Sequence, residues 1–228
     1  MKTTSTNQKR YLHRVAPLVL APELPLVDGE VLAAYLHSAA EPEDLILVGR
    51  LEGKRVLPTL IAALEAMPPR SILPIDCGRV RIMDNSFADE TLVMLSRRRS
   101  TDEFGQRYLF LENVREELEA NLATVFRIRE VFLPVQLSAP AASGGVSSAE
   151  GPSLLGDIGL EMRETYQVAL RQGKLTAREL VELLPDARLS IAAASNRLTR
   201  LVKGGALAEL DSEIVEGGGR QKVFTPIY

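Results

Sequence analysis

The sequence predicts two folded units of different class: an α/β sheet-and-helix domain over residues 43–135 and a smaller α+β domain over residues 158–228. Three observations predict this. Strand-like and helix-like apolar segments alternate between residues 45 and 125, as in a sheet covered by helices. Residues 136–157, QLSAPAASGGVSSAEGPSLLGD, are rich in Ser, Ala, Gly and Pro and have no sustained periodicity, the composition of a flexible linker. Beyond it the pattern runs helix, turn, helix, strand, glycine tip, strand. Residues 1–42 are a polar-headed extension outside both units.

In the first domain, LILVGRL at 45–51 suits a strand. A helix follows over 56–67, with Leu57, Leu60, Ile61 and Leu64 at helical spacing and a stop at Pro68–Pro69. Strands are expected at 71–76 and 80–83, a helix over 86–98, a strand at 108–111 and a helix over 115–125. In the second domain a first helix spans about 161–171. Thr176 stands three residues before Glu179, a capping-box spacing, and Leu175 and Leu180 have the positions of a hydrophobic staple. Leu180, Leu183 and Leu184 give the short helix one apolar face, and Pro185 ends it. Ser190 caps the next helix, whose Ile191, Ala194, Leu198 and Leu201 are expected to face the core. The opposite side presents Ser190, Ala193, Asn196, Arg197 and Arg200. Gly204–Gly205 supply the left-handed stop. A strand over 206–210, a tip at Gly217–Gly219 and a return at Val223–Phe224 complete the unit.

This order is that of a winged helix-turn-helix. The segment SIAAASNRLTRLVKGGALAEL resembles the third helix and first wing strand of MarR-, ArsR- and GntR-like bacterial regulators. The resemblance implies that the helix enters the major groove of double-stranded DNA and that the wing touches the adjacent backbone or minor groove. Arg197, Arg200 and Lys203 on the helix and Arg220 and Lys222 on the wing are the cations so placed, with Ser190, Ala193 and Asn196 beside them. Glu213 and Glu216, at the start of the wing, oppose phosphate contact. The bland alternative is a solvated amphipathic helix and a mobile hairpin, or a winged helix that docks protein.

The junction RIMDNSFADETLVML, with VGRLEGKRVLPTLIAALEAM before it, resembles the STAS domains of bacterial anti-sigma-factor antagonists. It is more similar still to a STAS-like group whose turn reads S-F-A-D-E and which often stands beside helix-turn-helix modules. The resemblance covers about residues 43–135. By position Ser86 matches the serine that partner kinases phosphorylate, although the usual D-S-S-G turn is Asp84–Asn85–Ser86–Phe87 here. A phosphate at a helix start meets free N–H groups, but Asp84, Asp89 and Glu90 crowd the turn, which favours Ser86 as a structural cap over a phosphosite. Arg97, Arg98 and Arg99 at the end of this helix complement its dipole.

The composition, 46 % hydrophobic and 25 % charged, is that of an ordinary globular protein, and the net charge of −3 excludes a broadly polyanion-binding one. No apolar run approaches the ~18 residues of a membrane span, and the polar start MKTTSTNQKRYLHR is not followed by a signal-peptide pattern, so the expected location is the cytoplasm. The single cysteine, Cys77, sits in an apolar strand and reads as an inert core thiol. His13 and His37 have no ligand-like spacing, so no metal is expected. GRLEGKR at 49–55 is one residue short of a P-loop and lacks the following Ser or Thr; no nucleophile elbow or dinucleotide fingerprint is present. No cofactor and no enzyme activity are expected. The reading is a DNA-binding transcription regulator, paired as a homodimer, with a regulatory and dimerising STAS-like domain. The alternative is a partner-switching adaptor that exchanges between proteins such as a GHKL-type kinase. A catalytic first domain ranks last.

Overall fold

Strand β4 (Ser71–Asp76), SILPID, is buried along almost its whole length because it lies in the middle of a sheet. The molecule is described here by a computed structural model for residues 13–14, 18–19, 45–138, 151–214 and 220–228. β6 (Arg107–Val114) and β7 (Phe132–Leu137) continue the sheet in parallel, with Leu73 beside Leu109 and Leu111 beside Val135. β8 (Ser153–Gly156) closes one edge antiparallel to β7. On the other side two short strands, β1 (His13–Arg14) and β2 (Leu18–Val19), pair with β4 at Ser71–Ile72 and Ile75–Asp76. Pro74, which has no N–H to donate, falls between the two registers. Part of the expected N-terminal extension therefore belongs to the sheet.

Parallel neighbours need crossovers, and helices provide them. β3 (Leu45–Leu47) leads into α1 (Arg50–Ala66) and pairs with β5 (Val80–Met83) in a separate two-stranded sheet. After β5 comes α2 (Asn85–Ala88), which continues through a π-helical turn (Asp89–Val93) into α3 (Met94–Ser100). α4 (Glu116–Ile128) connects β6 to β7, with acids in its first turn and Arg127 in its last, as the helix dipole favours. α1 starts six residues earlier than its apolar spacing suggests, so that Pro58 lies inside it. Pro58 and Lys54 are both exposed, a surface position at which the bond that proline cannot give to the Lys54 carbonyl costs least.

Alternation along the strands splits the sheet's side chains between two faces. Leu73, Ile75, Leu109, Leu111, Leu133 and Val135 join the helices in one core. Ile72, Tyr108 and Phe110 face the other way and are covered by the C-terminal part of the chain through Ala208 and Ile227. That part consists of α5 (Leu160–Gln172), α6 (Ala177–Leu183), a single 3-10 turn (Pro185–Ala187), α7 (Ile191–Lys203), β9 (Leu207–Ile214) and its antiparallel partner β10 (Arg220–Pro226). Its core of Tyr166, Leu180, Ala194, Leu198, Leu201 and Phe224 also takes in Phe132 and Leu154 from the sheet.

The segment expected to be a linker thus holds the two layers together. Residues 136–137 end β7 and residues 153–156 form β8, because Leu154 and Leu155 bury their side chains within a stretch whose overall composition is loop-like. Residues 139–150 lie outside the described residues. α5 leaves β8 after three residues, and Arg163 turns back to donate to the Leu154 and Gly156 carbonyls. At the far end of the C-terminal layer, Gly204 presses on Phe132 so closely that a Cβ there would lie 1.9 Å from the ring. Gly205, at φ +79, supplies the left-handed stop.

Replacing Gly204 with Ala forces the Phe132 ring out of place and destabilises the chain by about 1–3 kcal/mol in urea unfolding. Gly151→Ala, where a Cβ meets nothing within 4 Å, is the neutral control. Cys77 is fully buried, and burial, with Asp76 adding to it, pushes its pKa up to about 12. Its thiol is expected to react with a soluble disulfide reagent only as fast as the chain unfolds. Between pH 9 and about 12 the unfolded thiol ionises while the folded one stays protonated, so stability falls as pH rises through that window.

Candidate nucleic-acid interface

α6 and α7 are fixed by their caps. Thr176 accepts from the Glu179 amide at 3.3 Å while the Glu179 carboxylate accepts from the Thr176 amide at 2.6 Å, satisfying two otherwise free donors. Leu175 exchanges both backbone bonds with Phe224, tying the start of α6 to β10. Arg188 at φ 46 turns the chain, and Ser190 accepts from the Ala193 amide at 3.2 Å to start α7. Of the apolar residues expected inside α6, Leu180 is buried, Leu184 is half-buried and Leu183 is exposed.

α7 buries Ala194, Leu198 and Leu201. Ile191, expected to face the core, is 53 % exposed. Side chains of a helix lean toward its N-terminus, so in the first turn Ile191 overhangs the end of the packed stripe. The outward face presents Ser190, Asn196, Arg200 and Lys203, all exposed, with Ala193 half-buried beside them.

Arg197 is a correction to the sequence reading. Its side chain is only 15 % exposed, and it donates to Glu161 of α5 at 2.6 Å. Residue 197 is three after Ala194 and four before Leu201, so it shares the buried stripe instead of the outward face. That spacing was available in the sequence; its partner Glu161 carried no signal there. Arg197 is a strut between α5 and α7.

On the ribbon, Arg220 is exposed and Lys222 pairs with Glu209 at 2.9 Å. Such a surface pair contributes about 0–1 kcal/mol and yields readily to a competing phosphate. The ladder shifts register between Gln221 and Val223, next to this pair. The expected tip at residues 217–219 and Glu216 lie outside the described residues, as does the Glu213 side chain. Thr199, Lys203, Glu209 and Lys222 line one side of a cleft of about 610 Å³, and Asp102, Gln106 and Tyr108 of the sheet layer line the other.

At the second candidate site, Ser86 is not the cap. Asp84 takes that role: one carboxylate oxygen accepts from the Phe87 amide at 2.7 Å and the other from the Gly49 amide, ahead of α1, at 2.9 Å. Ser86 sits half-buried in the first turn of α2. The acids around it are compensated. Asp89 meets Arg129 at 2.6 Å and Arg50 at 3.5 Å, and Glu90 meets Arg50 at 3.6 Å.

The arginine run also differs from expectation. Arg98 pairs with Glu103, but Arg97 donates to the Arg129 carbonyl at the end of α4. Arg99 donates to the Lys203 carbonyl at the end of α7, at 2.8 Å, and lies 4.8 Å from the centre of the Tyr108 ring. Burial lowers the Arg99 pKa from its ordinary value, with Tyr108 and Asp102 opposing the shift, and the guanidinium remains charged. These arginines complement helix dipoles, but two of the three helices are not their own.

Among the described residues no group of three or more His, Cys, Asp or Glu side chains is placed to hold a metal ion, and no helix is long and apolar enough to cross a membrane. No family model, no curated protein and no solved structure matches the chain.

Proposed function

We propose that the chain is a DNA-binding transcription regulator, in which α6, α7 and the β9–β10 ribbon act as a winged helix-turn-helix and the STAS-like sheet layer is the regulatory and pairing part. The observation that carries this reading is the outward face of α7: a capped helix offers Asn196, Arg200 and Lys203 to solvent, while small residues at Ala192 and Ala193 leave room for a groove wall. Asn is suited to the two-point edge of adenine, and Arg to guanine or to phosphate. Arg220 and Lys222 on the ribbon are then placed for the flanking backbone. A homodimer fits this reading, since one short helix covers few base pairs.

A protein partner at the sheet layer is a second reading, favoured by a specific feature. Ile46 and Ile82 are cross-strand neighbours and both exposed, and Val48 and Leu51 are exposed beside them. These apolar side chains adjoin the Asp84–Ser86 turn, through the Asp84 amide bond to the Leu47 carbonyl. An adaptor that exchanges partners such as a GHKL-type kinase would use that surface.

Replacing Asn196 and Arg200 together with Ala is expected to weaken duplex binding at least about tenfold with thermal unfolding nearly unchanged. Arg197→Ala, by contrast, lowers stability because it removes the α5–α7 strut. Normal affinity of the Asn196/Arg200 variant for a true operator removes α7 from the reading role. For the ribbon, the Arg220/Lys222 double Ala variant is expected to lose affinity on every sequence and to show a shallower salt dependence. An unaltered slope, measured by the same titration, leaves the ribbon as packing alone.

A further inference from the structure

We propose that the junction of the two layers is a phosphate clamp, in which Arg97 of the sheet layer joins Arg200 and Lys203 of α7 in holding one backbone phosphate of bound DNA. The clamp deepens the DNA reading above and rests on it.

A recess of about 380 Å³ opens where α3, the turn after α4 and the end of α7 meet. Its walls carry four cations, Arg97, Arg129, Arg200 and Lys203, and two acids, Glu130 and Asp157. Arg129 is committed to Asp89 at 2.6 Å. Arg97 gives one nitrogen to the Arg129 carbonyl at 3.2 Å and keeps its other donors, of which a guanidinium has five in all. Arg97, Arg200 and Lys203 are all exposed and none has an ion-pair partner among the described residues.

Three helices end at this recess, and cations are expected at helix C-termini. That accounts for Arg97 on the end of α4 and Arg99 on the end of α7. The same rule places Arg200 and Lys203 in the last turn of α7, but their side chains bond to no carbonyl among the described residues and keep their donors for a ligand. The length of α7 supplies their use. Its 13 residues span about 20 Å, whereas the major groove is about 12 Å wide. With the Ser190–Asn196 end in the groove, the Arg200–Lys203 end stands at the groove's lip, where the phosphates run. Gly204 is pressed against Phe132 and Arg99 holds the Lys203 carbonyl, so the sheet layer travels with the helix and brings Arg97 to the same lip. The packed seam fixes the backbone positions from which the three cations project, so only their side chains are ordered on binding.

A free phosphate-bearing molecule offers the same chemistry, but charge favours the diester. Glu130 and Asp157 repel a dianion about twice as strongly as the single charge of a backbone phosphate.

The test is a titration of the full chain against a labelled duplex of mixed sequence across a salt series, with Arg97→Ala and Arg97→Lys compared with wild type. Arg97→Ala is expected to weaken binding about fivefold at low salt and to reduce the salt slope by about 0.9, the signature of one lost phosphate contact. Arg97→Lys keeps the slope, and loss of the exposed bond to the Arg129 carbonyl lowers the thermal transition of Arg97→Ala only slightly, without unfolding it at the assay temperature. A wild-type slope in Arg97→Ala, with the duplex still bound, overturns the clamp and leaves the DNA reading standing. Calorimetric binding of inorganic phosphate that Arg97→Ala abolishes, with unchanged duplex affinity, also overturns it and makes the recess a free-anion site. Failure of the wild-type chain to bind any duplex overturns the DNA reading itself, and the clamp with it.

Discussion

The bond from the Arg99 guanidinium to the Lys203 carbonyl ties the last turn of α7 to the sheet layer, and the orientation of the outward face of α7 follows from it. Arg99 is 6 % exposed, so its charge needs partners. The Tyr108 ring, in its own layer, and the C-terminal end of the α7 dipole are those partners, and the second lies within reach only while the layers are docked. Gly204 and Gly205 make the docking possible, since any larger side chain would meet Phe132 at the first and Arg99 at the second. Around this contact the apolar seam of Ile72, Tyr108, Phe110, Ala208 and Ile227 removes the remaining freedom. In the structure the two layers are therefore packed against each other through this seam.

Much of the architecture was legible in the residues. The order of elements from β3 to α4, the Thr176 capping box, the Ser190 cap and the Gly205 stop all rest on local rules, and the structure has each of them, whereas β1, β2 and β7 went unread. What was illegible depends on neighbours distant in sequence. Nothing in the composition of residues 136–157 marks Leu154 and Leu155 as strand residues, because their burial needs both β7 and α5. Nothing local distinguishes Arg99 from Arg98, though one is buried on another helix and the other paired with a nearby acid. Ser86 lost the capping role to Asp84 because the latter serves two helix starts at once, and the first of them, at Gly49, lies 35 residues away. At the candidate interface the error over Arg197 was one of phase, since a residue at the border of an apolar stripe was assigned to the wrong side.

The charge distribution follows the same logic as the packing. A net charge of −3 gives the molecule no general attraction to polyanions. Its cations are instead drawn to the ends of α3, α4 and α7, where exposed carbonyls favour them. A basic surface collected for structural reasons is thus present at one end of α7. Whether such a surface serves binding depends on how many of its members are left without a carbonyl or an acid, and at this seam Arg200 and Lys203 are.

The two bonds that Arg163 makes to the outer carbonyls of β8 bear on how the chain is synthesised. β8 is the last strand of its sheet, and an open strand edge is a template for pairing with other chains. The guanidinium closes that edge, but it is held there by α5, whose burial needs Leu198, Leu201 and Phe224. A ribosome reaches residue 156 well before it reaches residue 224. For that interval a nascent chain carries a nearly complete sheet with one edge unguarded. Translation stalled between those two points leaves the molecule most open to pairing with its neighbours on a polysome, although every strand of that sheet has already been made.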